Sequence, residues 1–373
     1  MEFVVSSRVP FLYLLFIFLH VSSAVDANIS IIVPKGRSLP LFNGSLIEEH
    51  KKQIQSSSVE LVVPLICLFS FTAGLPTNSF ALWVLLFRTK KLPSTILLIN
   101  LTICDIMLLL VLPFRIVYHF VGNNWTFGEP FCRVVVGFFY GNMYGSVVCL
   151  ALIALDRYIA LVHPFGAKVL RSKKNSVYMS VLVWIVVLAA AVPLLASKQT
   201  HEINNLSITT CHDALPVEEQ ENYFLPYFTT LFSLCFLLPL LVVLFCYSAV
   251  LRTLMAEGQR FAHAVRVTVL MLIVFVVFLL PSNILMLWHY SKSSSVNNLY
   301  MPYLIALSLS TFNSCIDPFI FYYVSKDFRK RSWEALRCLK SDLESSSDSR
   351  TKVTLLSKIS KTERPLNGES THL

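Results

Sequence analysis

Residues 92–114 read LPSTILLINLTICDIMLLLVLPF, and Asp105 is the single charged residue in the stretch. A helix needs roughly 20 mostly apolar residues to cross about 30 Å of hydrocarbon. Lipid offers no partner for backbone N–H and C=O groups, so such a segment must satisfy them internally, as a helix. Working outward, six further stretches read the same way: Leu61–Phe87, Val134–Leu155, Val177–Ala196, Tyr223–Leu251, Val267–Trp288 and Leu299–Val324. They are too long and too uniformly apolar for barrel strands, which alternate. The expected fold is an all-α membrane protein, a seven-transmembrane-helix bundle. Composition agrees: 55% of residues are hydrophobic and 14% charged, against about 25% charged in a soluble domain.

The run Phe11–Val21 is shorter, follows Arg8 and precedes Ser22, Ser23 and Ala24. It reads as a secretory signal over residues 1–24. Basic residues mark the cytoplasmic side. Arg88, Lys90, Lys91, Lys168, Arg171, Lys173, Lys174, Arg252, Arg260 and Arg266 fall in one set of loops, and only Lys198 and Lys292 in the other. The N-terminus is therefore expected outside, in a multi-pass protein of the plasma membrane. This orientation accounts for much of the +9 net charge, and no basic domain or aromatic platform calls for nucleic acid. Glycosylation acceptors lie in outer segments at Asn28, Asn43, Asn124 and Asn205; Asn100 has the pattern but falls inside the second span. Nine cysteines show no C-x-x-C pair. Cys132 and Cys211 both face the oxidising side and are candidates for a bridge. Cys338, just past the last span, is a candidate for palmitoylation.

Polar and kinking residues occupy particular places in the spans. Asn78 lies in the first, Asp105 in the second, Asp156-Arg157-Tyr158 at the end of the third and Trp184 in the fourth. Pro239 and Tyr247 lie in the fifth, Pro281 in the sixth and Asp317-Pro318 in the seventh. This set, in this order, resembles the rhodopsin-like G-protein-coupled receptors across about residues 60–340. The resemblance implies coupling to a heterotrimeric G protein through Asp156, Arg157, Tyr158 and Tyr247. It also implies a central polar cluster of Asp105, Ser146, Asn313, Ser314 and Asp317 able to hold a sodium ion; no other cofactor and no enzymatic activity are expected. Carboxylates inside a bilayer are costly, which favours a functional reading. Two positions depart from the pattern: Phe321 stands where a tyrosine is usual, and Leu279 where an aromatic residue usually precedes Pro281.

Narrower motifs follow. They are Cys211-His212-Asp213-Ala214-Leu215, Gly122-Asn123-Asn124-Trp125, residues 137–144 (GFFYGNMY), Pro281-Ser282-Asn283 with His289-Tyr290, and residues 313–319 (NSCIDPF). In these the chain is similar to the protease-activated receptors, nearest the member activated by trypsin. Its outer tail carries Lys35-Gly36-Arg37 followed by Ser38-Leu39, like that member's cleavage site. The resemblance implies that an extracellular trypsin-like serine protease cuts between Arg37 and Ser38, releasing residues 25–37. The tethered agonist would then be Ser38, Leu39, Pro40, Leu41, Phe42 and Asn43, within an outer tail over 38–60. Ligand contacts carried over are Tyr140, His212, Asp213, Tyr290, Tyr300 and Tyr303. The new α-amine is expected to pair with acidic groups of the second outer loop, Asp213 first. Pro40 departs from the relatives and restricts Leu39. About 18 residues separate Phe42 from Leu61, and a flexible chain of that length spans roughly 20–25 Å.

On the inner side, Phe328, Arg329, Lys330 and Arg331 suggest a short amphipathic helix on anionic membrane lipid, closing a receptor domain over 61–338. Residues 339–373 read as a disordered tail whose Ser345, Ser346, Ser347 and Ser349 suit phosphorylation and arrestin. Two other functions fit the same residues. One is a protease substrate or co-receptor with weak signalling of its own. The other is a small-molecule or lipid receptor in which the tryptic site is incidental.

Overall fold

The protein was analysed as a computed structural model, which describes residues 39–41, 43–46, 48–90, 92–163, 172–256, 269–291 and 300–338. Seven helices are long and apolar enough to cross a membrane, as the sequence predicts. The first runs Ser57–Phe87, the second Pro93–Phe120, the third Glu129–Val162 and the fourth Lys173–Ala196. The fifth covers Val217–Thr253, the sixth Val269–Met286 and the seventh Tyr300–Tyr323. Several run past the apolar stretches. The third begins at Glu129 and continues through Asp156-Arg157 because its polar ends project beyond hydrocarbon, where hydropathy gives no signal.

Helix starts follow local chemistry. Pro93 and Pro130 sit in the first turns of the second and third spans, where a missing N–H costs nothing. Ser172 caps the fourth, accepting from the Asn175 N–H at 3.3 Å. The third span lies at the centre and buries Tyr140, Tyr144, Ser146 and Asp156 among many others. Trp83, Tyr178, Leu188, Leu241 and Phe245 remain exposed around the rim. In a soluble domain such a belt would be a liability; here it is the lipid face.

The prolines of the fifth and sixth spans act in a specific way. Three π-helical segments, Gln220–Phe224, Phe232–Leu237 and Phe275–Leu279, end two residues before Pro226, Pro239 and Pro281 respectively. Proline withholds an N–H from the carbonyl four residues earlier and its ring crowds that carbonyl. A wider turn relieves both problems, and such bulges mark bends.

On the outer face, β2 (Thr200–Ile203) and β3 (Ile208–Cys211) form an antiparallel hairpin, and β1 (Leu39–Leu41) pairs parallel with β4 (Ala214–Pro216). Cys211 is bridged to Cys132 at the start of the third span, with Cα atoms 5.8 Å apart, so the expected bridge is present. It closes a loop of 79 residues, worth about 4–5 kcal/mol in the chain-entropy account. The Trp125 N–H donates to Thr209 O at 2.7 Å, and Asn124 Oδ1 accepts from the Thr209 N–H at 3.0 Å, so the first outer loop is tied to β3.

Candidate functional site

The outer site is built around the strand pair. Leu39 lies opposite Ala214, Pro40 opposite Leu215 and Leu41 opposite Pro216. The Leu39 N–H donates to the Asp213 carbonyl at 2.8 Å. A parallel ladder engages the N–H groups of alternate residues. Pro40, which has no N–H, therefore falls where none is called for, and its departure from the relatives costs no ladder bond. Leu39 and Leu41 are 2% and 6% exposed, so both side chains are buried against the receptor body. At roughly 1.5–3 kcal/mol for each fully buried leucine, these two anchors dominate the local energetics.

Asp213 is buried, and its Oδ2 accepts from the Tyr118 hydroxyl at 2.7 Å. Gln220 donates from Nε2 to Leu215 O at 2.7 Å and to Leu39 O at 3.5 Å, bridging the two strands. His212 holds a left-handed backbone (φ 66°) and its Nδ1 shares a hydrogen bond with Gln199 Oε1. That turn points the ring among Tyr140, Phe224 and Phe228, with centroids 5.8, 5.5 and 6.0 Å away. The Tyr140 and Tyr303 hydroxyls meet at 3.3 Å. Of the contact residues carried from the resemblance, His212, Asp213, Tyr140 and Tyr303 thus gather below the strand pair. Tyr300 is buried at the start of the seventh span. Tyr290 lies in a helical segment, but its side chain is outside the described residues, as are Arg37, Ser38 and Phe42 altogether. The sequence reading missed Tyr118, Gln199 and Gln220. Their signal is faint: a polar group at the outer end of a span, or just past it, is common.

The tail between strand and bundle is not a slack tether. Gly44 (φ 75°) makes the turn, and a Cβ there would lie 2.6 Å from the Asn204 amide nitrogen. Its carbonyl accepts from the Asn204 N–H at 2.9 Å, and the Asn205 amide donates to Leu46 O at 2.8 Å. A short helix, Glu48–Ile54, follows and is held where Asn123 donates to the Ile54 carbonyl. The flexible-chain estimate therefore gives way to a folded strap: side-chain amides of the loops satisfy its backbone, which composition alone does not reveal. Beside it opens a crevice of about 800 Å³ lined by Leu41, Asn43, Lys198, His201, Glu202 and Glu218.

Asn124 and Asn205 are at least partly exposed and Asn43 is exposed, while Asn28 is outside the described residues. Asn100 is buried, donating to Ser180 Oγ at 2.6 Å and accepting from Trp184 Nε1 at 3.2 Å.

Midway through the bundle, Asp105 Oδ1 accepts from Ser314 at 2.8 Å, Asn142 at 3.4 Å and Ser146 at 3.5 Å. Asn313 donates to Asp317 at 3.1 Å. Asp105 Oδ2, Asp317 Oδ1 and Asn313 Oδ1 are buried with no hydrogen-bond partner among the described residues. Hard oxygen atoms left unsatisfied in this way fit a small hard cation such as sodium. Leu279 lines the same small cavity as Asn142, Ser146 and Asn313, so an aliphatic side chain occupies the place of the missing aromatic.

At the inner end, Tyr247 is buried and its hydroxyl reaches Met271 Sδ at 3.1 Å, joining the fifth and sixth spans. Asp156 is buried, and the Tyr158 hydroxyl meets His163 Nε2 at 2.9 Å. Phe321 is buried against Phe328, centroids 6.2 Å apart, and so docks the helix 326–338 onto the bundle. Cys338 is an exposed free thiol at the end of that helix. The tail beyond it is outside the described residues.

Residues 77–321 match the family described as 7 transmembrane receptor (rhodopsin family). The chain is 46% identical over 272 residues to Proteinase-activated receptor 4 of Homo sapiens, covering 72% of this chain and 71% of that receptor. It is 39% identical over 276 residues to Proteinase-activated receptor 3 of Homo sapiens, with 73% and 74% covered. It is 38% identical over 314 residues to Proteinase-activated receptor 2 of Mus musculus, with 81% and 78% covered.

Proposed function

Because the chain belongs to the proteinase-activated receptors of the rhodopsin family, we propose that a trypsin-like serine protease cuts it between Arg37 and Ser38. The segment beginning at Ser38 is then its tethered agonist. As a member of that family the chain is a multi-pass receptor that works through a heterotrimeric G protein, and not an enzyme. The plasma membrane is its proposed site of action.

The supporting observation is the pairing of Leu39–Leu41 with Ala214–Pro216, one residue past the proposed cut. A trypsin-like protease selects arginine by an aspartate in its specificity pocket. The cut creates an α-amine with an ordinary pKa of about 7.7–8.0 where the intact chain has no charge. The Leu39 N–H donates to the carbonyl of Asp213, whose buried carboxylate is the proposed partner of that amine. Tethering supplies millimolar effective concentration, so a weak intrinsic ligand suffices. The Lys35-Gly36-Arg37-Ser38-Leu39 sequence supports trypsin itself as an activator.

The test is calcium release in cells expressing the chain, after brief trypsin treatment, beside an Arg37→Ala variant and untransfected cells. The parent should respond and the variant should not. A synthetic Ser-Leu-Pro-Leu-Phe-Asn peptide should rescue the variant. Equal responses in parent and variant would refute Arg37 as the activating site. Silence in both, with surface expression confirmed, would favour the substrate-only reading.

A further inference from the structure

The tip of the outer hairpin holds the strap with its backbone and with one side chain. The Asn204 N–H donates to Gly44 O at 2.9 Å. One residue on, the Asn205 amide engages a single residue of the strap twice. Its Nδ2 donates to Leu46 O at 2.8 Å, and its Oδ1 accepts from the Leu46 N–H at 3.4 Å. Leu46 itself is buried. Reversing the amide would set oxygen against oxygen and N–H against N–H, so the contacts fix its orientation. Both bonds close on one residue. The hydrogen that Nδ2 donates is therefore the one on the same side as Oδ1.

Asn205-Leu206-Ser207 is also an N-glycosylation acceptor, and Asn205 is exposed at the turn. A sugar joined to Nδ2 makes the amide secondary. Secondary amides are planar and prefer the trans form, as the peptide bond does. The sugar then lies beside Oδ1, and the remaining N–H points away from that oxygen. The hydrogen displaced is the one that Leu46 O accepts. Keeping it requires the cis amide, which is disfavoured roughly 60-fold. The other described outer acceptors differ. Asn124 meets its neighbour through Oδ1, which accepts from the Thr209 N–H at 3.0 Å, and a sugar leaves that oxygen in place. Asn43 is exposed.

We propose that a glycan on Asn205 and the docked strap exclude each other, so that occupancy of this one acceptor decides whether the strap is fastened to the hairpin. Lys51 and Lys52 lie in the strap helix, between the agonist segment and the first span. Proteolysis follows the population of the opened form. Without the sugar the strap is fastened ahead of this helix by the hairpin and at its end by Asn123 on the Ile54 carbonyl. With the sugar the first fastening is lost. A trypsin-like protease then cuts after Lys51 or Lys52 and severs the agonist from the bundle. That consequence rests on the tethered-agonist reading; the exclusion itself needs no cut at Arg37.

The test uses the full-length receptor carrying Ser30→Ala, Ser45→Ala and Thr126→Ala, which disables the acceptors at Asn28, Asn43 and Asn124. Lectin chromatography divides it into molecules with and without the Asn205 glycan, identified by peptide mass. Hydrogen exchange over Glu48–Ile54 is compared on uncut receptor, so the result is independent of whether the tail is an agonist. Loss of two hydrogen bonds should lower protection in the sugar-bearing fraction by roughly 5- to 150-fold. Trypsin should cut after Lys51 or Lys52 faster in that fraction. Ser207→Ala removes the acceptor and keeps the amide, and should match the sugar-free fraction. Asn205→Asp removes the acceptor and the N–H, and should match the sugar-bearing one. Equal protection in the two fractions overturns the exclusion, and this comparison within one protein decides the matter even where Asn205→Asp fails to fold. Equal protection in Ser207→Ala and Asn205→Asp overturns it as well. So does a mature receptor with no sugar at Asn205 in any molecule, which would leave that residue a clamp alone.

Discussion

N-methylation of one peptide bond isolates the strand pairing from everything else in the agonist. The Leu39 N–H donates to the Asp213 carbonyl at 2.8 Å, beside side chains that are almost wholly buried. Replacing that hydrogen by methyl in Ser-Leu-Pro-Leu-Phe-Asn leaves every side chain and the α-amine unchanged. The bond is lost and a sheltered carbonyl is left without its donor, together about 1–3 kcal/mol. That corresponds to a roughly 5- to 150-fold rise in EC50. The contrast is Pro40→Ala in the same peptide. It restores an N–H the ladder does not use and frees the unbound backbone, costing about 0.4–1 kcal/mol, or roughly two- to fivefold. The assay is calcium release from the Arg37→Ala receptor, in which every peptide faces the same uncut tail and no agonist is released by cleavage. An N-methyl-Leu39 peptide within threefold of the parent would refute the pairing, as would a Pro40→Ala effect larger than that of methylation.

Four further outcomes follow from the same geometry. Tyr118→Phe removes the hydroxyl that donates to the buried Asp213 carboxylate at 2.7 Å; losing about 1.5–3 kcal/mol should raise peptide EC50 roughly 10- to 150-fold, with surface level followed by flow cytometry. N-acetylation of Ser38 in the peptide removes its positive charge and should lower maximal response while displacement of a labelled peptide persists; full efficacy would rule out the amine. Asp105→Asn should abolish any dependence of agonist affinity on sodium, since Asp105 and Asp317 supply the unsatisfied oxygens of the central cluster; a salt response unchanged by the variant would place sodium elsewhere. Burial, aided by Lys198 and opposed by Glu129, holds His201 below its usual 6.5. The neutral ring's contribution is therefore complete above about 6.5 and is lost as pH falls through the depressed value. Protection factors of the Thr200–Cys211 amides, corrected for the intrinsic pH dependence of exchange, should fall on acidification, and His201→Gln should flatten that dependence.

The spans were legible because hydrocarbon imposes a length and a composition that nothing else in the chain imitates. The outer start of the third span was not, because Glu129 outside the slab carries no hydropathy signal, whereas its inner end at Asp156-Arg157-Tyr158 was read from the motif. The prolines announced bends at Pro239 and Pro281, but the device itself, a π turn closing two residues upstream, depends on how each carbonyl relaxes. The outer site divides in the same way. Cys211, His212 and Asp213 stand out as a motif, whereas Tyr118 and Gln220 reach them only through the fold. Most hidden was the strap. Asn204, Asn205 and Asn123 each supply a donor to a tail carbonyl, and these are contacts between residues far apart in sequence.

That strap bears on how the proposed single cut would act. The chain that pairs Leu39–Leu41 with Ala214–Pro216 still carries everything upstream of Arg37. The leucine anchors and the ladder bond are thus common to the intact and the cut receptor, and a contribution shared by two states cannot shift the balance between them. What differs is local. Under the proposed cut, residues up to Arg37 would depart and a positive charge would appear at Ser38, ahead of a strand already paired with Ala214–Pro216. A buried carboxylate gains more from a new cation than an exposed one does, because its field is poorly screened there. On this reasoning the strand sets affinity and the amine sets efficacy.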